Sequence, residues 1–315
     1  MGTSILSSRA IIGEFWQRLN IDLGRSWVSR VGRAFDSNQE SEKYAWLGQV
    51  PAMREWKGGR LAKGMSAFDY TIVNKTFEAT LEVDVDDVRR DKTGQIMARV
   101  GDLAARANGH WASLLSALIL NASSALCYDG QYFFSASHAE GSSGTQDNTL
   151  SVDISELPCS VHGSTTAPSP EEMQRCIALA IAKILGFKDN EGEPMNENEA
   201  EFLVMVPVSL YMPAISAVAM PTIAPTLNNV LQATPFNITV APSARFSSWT
   251  ASFDVYATGG DVGPYILQEE LPLEMAAVAE GSELEFNHNK WHFGVKACRN
   301  VGYGYWQKAV RVTMT

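Results

Sequence analysis

Apolar residues recur along this chain in two separate periods, one near 3.6 residues and one of two, without a regular βαβ alternation, which predicts an α+β fold. The longest helical stretch is expected over residues 91–125. Met97, Val100, Leu103, Ala104, Ala107, Trp111, Leu114, Leu115, Leu118, Ala122 and Ala125 keep i, i+3/i+4 spacing for about eight turns, roughly 40 Å at 1.5 Å per residue. A helix this long with one apolar stripe is a backbone on which other pieces are laid. A second helix is predicted from Pro170. Ser169 supplies its N-cap, Glu171 and Glu172 fall in its first turn, and Gly186 ends it after Met173, Ile177, Ala180, Ile181 and Ile184. Near the start, Ile11, Ile12, Phe15, Trp16, Leu19 and Leu23 fit a short amphipathic helix on an otherwise extended arm, with a frayed terminus as the competing reading.

Period-two stretches predict strands. Phe68, Tyr70 and Ile72, then Phe77, Ala79, Leu81 and Val83, alternate on either side of Asn74-Lys75, where a hairpin turn is expected. Phe202–Leu210 reads as a buried strand ended by Pro207, with a helix over about Val208 to Val218 behind it. Further strands are expected at 238–242, 252–258 and 263–271, and Trp291, Phe293, Val295 and Ala297 place one face of a C-terminal strand inward. Residues 126–170 are Gly-, Ser- and Thr-rich loops, and Asp189–Glu201, with six acids and no base, is expected to be a solvated loop.

Composition narrows the classes. At 315 residues, 45% hydrophobic and 19% charged, the chain resembles an ordinary globular protein, and its net charge of −10 argues against nucleic-acid binding by the whole surface. The arm up to Phe35 departs from this, with five arginines against Glu14 and Asp22. Cys127, Cys159, Cys176 and Cys298 form no C-x-x-C pair or zinc-like spacing, and neither a signal peptide nor a membrane span is evident. An intracellular, reduced protein with free thiols is expected.

Candidate chemistry is thin. "GRLAKGMS", Gly59 to Ser66, approaches a P-loop but holds Met65 where the phosphate-binding lysine belongs, and it runs into a strand-like segment. Cys127, Asp129 and His138 could form a thiol, carboxylate and base, yet they lie within twelve positions, and ordinary loop polarity is the preferred reading. His288 and His292 have the spacing of a helical zinc pair without its glutamate, and an extended chain there would part the rings by about 13 Å. No catalytic, cofactor-binding or metal-ligating residue is assigned.

The segment from Ala45 to Asp87 makes the stronger argument. Trp46, Trp56, Phe68, Tyr70, Ile72 and Phe77 need apolar cover that an isolated two-stranded ribbon cannot provide. Arg54, Glu55, Lys57, Arg60 and Lys63 surround Trp56 among Gly58, Gly59 and Gly64, a combination found at interface hot spots. Cover can come from the ribbon's own body or from another chain, and residue types alone leave both open.

"YAWLGQVPAMREWKGGRLAKGMSAFDYTIVNKTFEATLEVDVDDVRRD", the long helix after it and "LCYDGQYFFSASH" together resemble the major head subunit of Mu-like phages and prophages. The likeness covers roughly residues 40–140 and continues more loosely through "FLVMVP" to "FGVKACRNVGYGYWQKAV". It implies an α+β capsid protein fold of the Hong Kong 97 type. In that scheme 1–45 is an N-arm and 46–88 the E-loop β-hairpin region. Residues 89–165 form a P-domain with spine helix 91–125, 166–289 an A-domain, and 290–315 C-terminal P-domain strands. Inter-subunit contact is expected from Arg54, Glu55, Trp56, Lys57, Arg60 and Lys63 in the E-loop, and from Phe15, Trp16, Arg25, Arg30 and Arg33 in the N-arm.

The resemblance further implies hexamers and pentamers closing into an icosahedral phage head around double-stranded DNA, assembled in the host bacterial cytoplasm. Its expected partners are other copies, portal and scaffold proteins, a decoration protein in some cases, and DNA through non-specific inner-surface contact, with no cofactor. The basic N-arm is left either facing DNA or binding a neighbour's acidic surface. An encapsulin-like nanocompartment shell and a cysteine-dependent hydrolase are the alternative readings.

Overall fold

The computed structural model describes residues 7–21, 27–44, 70–90, 94–224 and 227–315. Helix α1 (Ser8–Ile21) and the single turn α2 (Val28–Val31) precede strands β1 (Gly32–Asp36) and β2 (Ser41–Lys43). Strands β3 (Thr71–Val73) and β4 (Lys75–Asp84) lead to helices α3 (Val85–Arg90), α4 (Gln95–Asn108) and α5 (His110–Leu120). Short strands β5 (His138–Ala139), β6 (Thr145–Gln146) and β7 (Thr149–Val152) cross the loop-rich stretch before α6 (Pro170–Leu185). Next come β8 (Glu201–Pro207), α7 (Tyr211–Ala219), β9 (Thr222–Ala224), β10 (Leu227–Asn228), β11 (Asn237–Ser243) and β12 (Ser252–Ala257). Strand β13 (Tyr265–Val278), helix α8 (Glu283–His288), β14 (Lys290–Tyr303) and β15 (Ala309–Met314) complete the chain.

Two sheets carry these elements. One has the order β1-β13-β14-β4, with β13, β14 and β4 successively antiparallel and β1 parallel to β13. Its inward residues Val83, Trp291, Phe293 and Val295 meet Ile11, Phe15 and Leu19 of α1 and Val100, Leu103 and Ala104 of α4 in one apolar cluster. The other sheet has the order β11-β8-β12-β15-β7 and is buried against α6, whose capping box is formed as its sequence predicts: Ser169 and Glu172 each bond the other's backbone N–H. β8 is buried along all but its first residue, which explains its unbroken apolar run.

Several expectations are corrected. The helical run is shorter than 91–125. It begins at Gln95 after Gly94, whose left-handed backbone (φ 74°) suits a glycine, and it ends at Leu120. α4 and α5 are separated only by Gly109, whose right-handed helical backbone and N–H bond to the Ala105 carbonyl keep the two in register. Asn74-Lys75 is no hairpin turn, because β3 pairs with β2 while β4 pairs with β14. The border expected at 289/290 falls inside the β13–α8–β14 hairpin, whose strands pair along their length. β15 belongs to the other sheet, so residues 290–315 divide between the two. β13 runs on past Leu271 to Val278. Pro272, lacking an N–H, sits where the β13–β14 register shifts.

The expected 189–201 loop is not purely solvated. Asp189 Oδ1 accepts from the Glu191 and Glu193 N–H groups at 2.9 Å, and Glu199 pairs with the buried Lys308. Cys127 and Cys176 are buried and Cys159 and Cys298 half-buried, all as free thiols. No helix among the described residues is long and apolar enough to cross a membrane.

Candidate assembly surfaces

Residues 45–69, with all six expected E-loop contacts (Arg54, Glu55, Trp56, Lys57, Arg60 and Lys63), lie outside the described residues. Their two flanks do not. The Tyr44 N–H donates to the Tyr70 carbonyl at 2.8 Å, so the two flanks lie side by side at one point of the body. That point is anchored by a buried polar network, which decides why Asn74 does not turn. Gln268, fully buried on β13, donates to Asn74 Oδ1 (2.8 Å) and the Ile72 carbonyl (3.1 Å), and its Oε1 accepts from the Tyr44 hydroxyl (2.7 Å). Asn74 Nδ2 donates onward to Ser37 Oγ and the Gln39 carbonyl. Burial, with Glu42 nearby, pushes the Tyr44 phenol up, so it stays protonated and a donor.

The apolar lining of the root is covered by the chain itself. Ile72 is buried, the Tyr70 hydroxyl accepts the Tyr303 N–H at 2.8 Å, and the Phe77 ring meets His110 edge-on with centroids 4.4 Å apart. Ile72 packs so closely on β14 that a Cβ built on Gly302 would stand 2.2 Å from Ile72 Cδ1. For Tyr70, Ile72 and Phe77 the choice left open by the sequence therefore resolves to the ribbon's own body.

The N-terminal contact residues divide. Phe15 is fully buried against α4 and β14, because its helix lies on the sheet instead of extending away; its ring has no surface left for a neighbour. Trp16 is half-buried at the edge of the same cluster, against Phe15 with centroids 5.5 Å apart. Arg30 donates to Thr239 Oγ1 (2.6 Å) and Arg33 to the Thr258 carbonyl (2.6 Å), tying α2 and β1 to the five-stranded sheet. Arg25 lies outside the described residues.

The sequence brought Cys127, Asp129 and His138 together for a different purpose. His138 Nδ1 meets Asp129 Oδ2 at 2.6 Å, Nε2 faces the Phe133 carbonyl at 3.3 Å, and the ring stacks on Trp306 with centroids 4.0 Å apart. Both ring nitrogens are thus taken. Burial, then the Asp129 charge, pushes the Cys127 thiol well up, the opposite of what a thiolate nucleophile needs. Beside them Glu140 Oε1 accepts from the Tyr128 hydroxyl (2.6 Å), Trp306 Nε1 (2.9 Å) and Gln307 Nε2 (3.1 Å). This network fastens the loop-rich stretch to the turn between β14 and β15. His288 ends α8, and His292, on β14, bonds Glu82 (3.0 Å). Among the described residues no group of His, Cys, Asp and Glu could hold a metal ion.

A clamp that sequence reasoning missed joins the long helix to the five-stranded sheet. Arg311 on β15 makes two 2.8 Å bonds to the buried Asp254 and reaches the Ile119 carbonyl and Ser123 Oγ at the end of α5. Its guanidinium lies between the Phe134 and Trp249 rings, 4.2 and 4.6 Å away. The only hint in sequence was a charge in each of two apolar strands. At the start of α5, Arg299 Nε donates to His110 Nδ1 (3.0 Å) and covers Trp111. Burial, then Arg299, pushes His110 below its usual range and keeps it a neutral acceptor.

Against known proteins, the family described as Mu-like prophage major head subunit gpT matches residues 13–157 and 232–315. The major capsid protein of Escherichia phage Mu is 33% identical over 180 residues, covering 53% of this chain and 59% of that protein. The Mu-like prophage FluMu major head subunit of Haemophilus influenzae is 31% identical over 127 residues, covering 40% of this chain and 41% of that protein. The matches thus span about half the length of these curated relatives. Among solved structures, a chain of the bacteriophage JBD30 procapsid is 21% identical, covers 98% of this chain and 75% of its own, and superposes with a TM-score of 0.56; at that identity the likeness speaks for the fold alone.

Proposed function

The chain belongs to the Mu-like prophage major head subunit family and has the α+β capsid fold of the Hong Kong 97 type, and from that premise we propose that it is the shell subunit of a tailed-phage head. Copies assemble as hexamers and pentamers into an icosahedral shell that encloses double-stranded DNA. The family match carries this reading, because it runs in order through the arm, the ribbon root, the long helix and the closing strands.

In this reading residues 46–88 are the E-loop region, and Trp56 is an apolar anchor on an adjacent copy. Arg54, Glu55, Lys57, Arg60 and Lys63 surround it, each exposed ion pair adding about 0–1 kcal/mol, so apolar burial carries most of the affinity. The buried root at Tyr44, Asn74 and Gln268 supports this by holding both flanks of the segment rigidly. Among the described N-arm residues, the half-buried Trp16 at the edge of α1 and the exposed Arg30 have surface to offer. Portal and scaffold proteins meet the same shell, which is built in the host cytoplasm and becomes the virion capsid. A net charge of −10 suits a container, since an acidic subunit confines DNA without gripping it. No catalysis is assigned to the buried Cys127–Asp129–His138 group.

Electron microscopy of the purified protein tests the proposal. Closed, uniform shells are expected; dispersed single subunits across protein and salt concentrations would overturn it.

A further inference from the structure

Acids outnumber bases in this chain, 35 to 25, and several arginines close on a carboxylate: Arg311 on Asp254, Arg299 on Glu269 and Arg18 on Glu14. Two that do not share an open cavity of about 590 Å³ where α4 ends and α5 begins. Arg106, in the last turn of α4, and Arg245, on the short turn Ala244–Phe246, line it with Asp102, Gly109, His110 and Ser113. Arg106 has no hydrogen-bond or ion-pair partner among the described residues. The Arg245 guanidinium has Ser113 Oγ, at 3.3 Å, and no carboxylate among them. The lining therefore carries two positive charges against the one of Asp102.

Fixed elements present these donors. Phe246, next to Arg245, is fully buried and stacks on Trp249 with ring centroids 4.4 Å apart. Arg245 Nη2 lies 3.9 Å from where a Cβ on Gly109 would stand, which sets it over the joint between the two helices. His110 adds another donor. Arg299 Nε–H occupies its Nδ1 at 3.0 Å, which leaves the ring proton on Nε2, and Nε2 has no partner among the described residues. The Ser113 hydroxyl, which accepts from Arg245, still has its hydrogen to give.

We propose that this cavity binds a phosphate group. Its source is either phosphate free in solution or, in an inference that rests on the capsid reading above, a backbone phosphate of the enclosed DNA. The donor set selects phosphate over carboxylate. A carboxylate has two oxygens in one plane and is satisfied by a single guanidinium fork. Donors from four residues on two helices and a turn instead match a tetrahedral group with several acceptor oxygens. One such contact per copy does not conflict with an acidic container, because a single neutralised phosphate adds only a weak, salt-sensitive attraction.

The test compares the full chain, as unassembled subunit, with its Arg106→Gln, Arg245→Gln variant. Inorganic phosphate is titrated by calorimetry against sodium chloride of equal ionic strength, and a short DNA duplex by fluorescence anisotropy. Both arginines are exposed, so circular dichroism should be unchanged, while the variant should bind phosphate about tenfold or more weakly. Should the double change unfold the subunit, Arg106→Gln alone, which breaks no bond among the described residues, should still weaken phosphate binding. Duplex binding that falls together with phosphate binding assigns the site to the DNA backbone. Duplex binding that is absent, or equal in both proteins, assigns it to free phosphate. A wild type that takes up no phosphate, or a variant that binds it equally well, would overturn the inference and leave the capsid reading standing. A wild type that binds phosphate but never forms shells would defeat the capsid reading alone.

Discussion

Replacing Asp254 by Ala isolates the clamp between the long helix and the five-stranded sheet. The Asp254 carboxylate is fully buried and accepts two bonds from Arg311 and one from the Tyr256 hydroxyl, all at 2.8 Å. Arg311 keeps a side-chain exposure of 13%, and packing between Phe134 and Trp249 prevents it from swinging into water without vacating that slot. Asp254→Ala thus leaves a mostly buried guanidinium without its counter-charge, a defect worth about 3–5 kcal/mol in buried pairs. Partial solvent access places this site near the lower end, about 3 kcal/mol, a large share of the 5–15 kcal/mol typical of a folded domain. Urea unfolding of the unassembled subunit measures it. Arg311→Met in the same background removes the orphaned charge and keeps an apolar stem between the rings, so the double variant should recover more than half of the loss. A cost below about 1 kcal/mol for Asp254→Ala, or a double variant equal to the sum of the singles, would refute the reasoning.

Trp56→Ala should leave the circular dichroism of the subunit intact and cut shell yield; equal loss of subunit folding would place Trp56 in an internal core. Gly302→Ala drives a methyl group into Ile72 and should cost about 1–3 kcal/mol in thermal or urea melts, with faster amide exchange at the ribbon root. A melt unchanged within error would mean that Ile72 simply rotates away. Glu140 is held above the ordinary carboxyl value of 4.5 chiefly by burial. A raised folded pKa makes its contribution fully present below about pH 4.5 and lost as pH rises through the folded value. Glu140→Gln should therefore flatten the decline of melting temperature above pH 4.5, and parallel curves for the two proteins would show that this group does not set it.

What the sequence disclosed depended on whether the signal was local. The capping box at Ser169 and Glu172 is complete within four residues, and the alternation from Trp291 to Val295 faces a single apolar cluster, so both are readable without the fold. The long helix was read slightly too long because Ala122 is buried in the turns after Leu120 and still satisfies the helical period. Asn74 looked like a turn residue because its amide is equally suited to a turn and to a buried network, and Gln268, which decides between them, lies 194 positions away. The Arg311–Asp254 clamp was hidden for the same reason: each residue is one charge in an apolar strand, and only the β12–β15 pairing joins them. α8 is six residues at the tip of a hairpin and buries none of its side chains, so it leaves no apolar period to detect.

The particle mass of the purified protein tests the central claim most directly. Charge-detection mass spectrometry of the wild-type chain should resolve a discrete species at a large integer multiple of the 34.4 kDa subunit, as a closed shell of identical copies requires. A single peak at 34.4 kDa, persisting at every concentration and ionic strength, would contradict it.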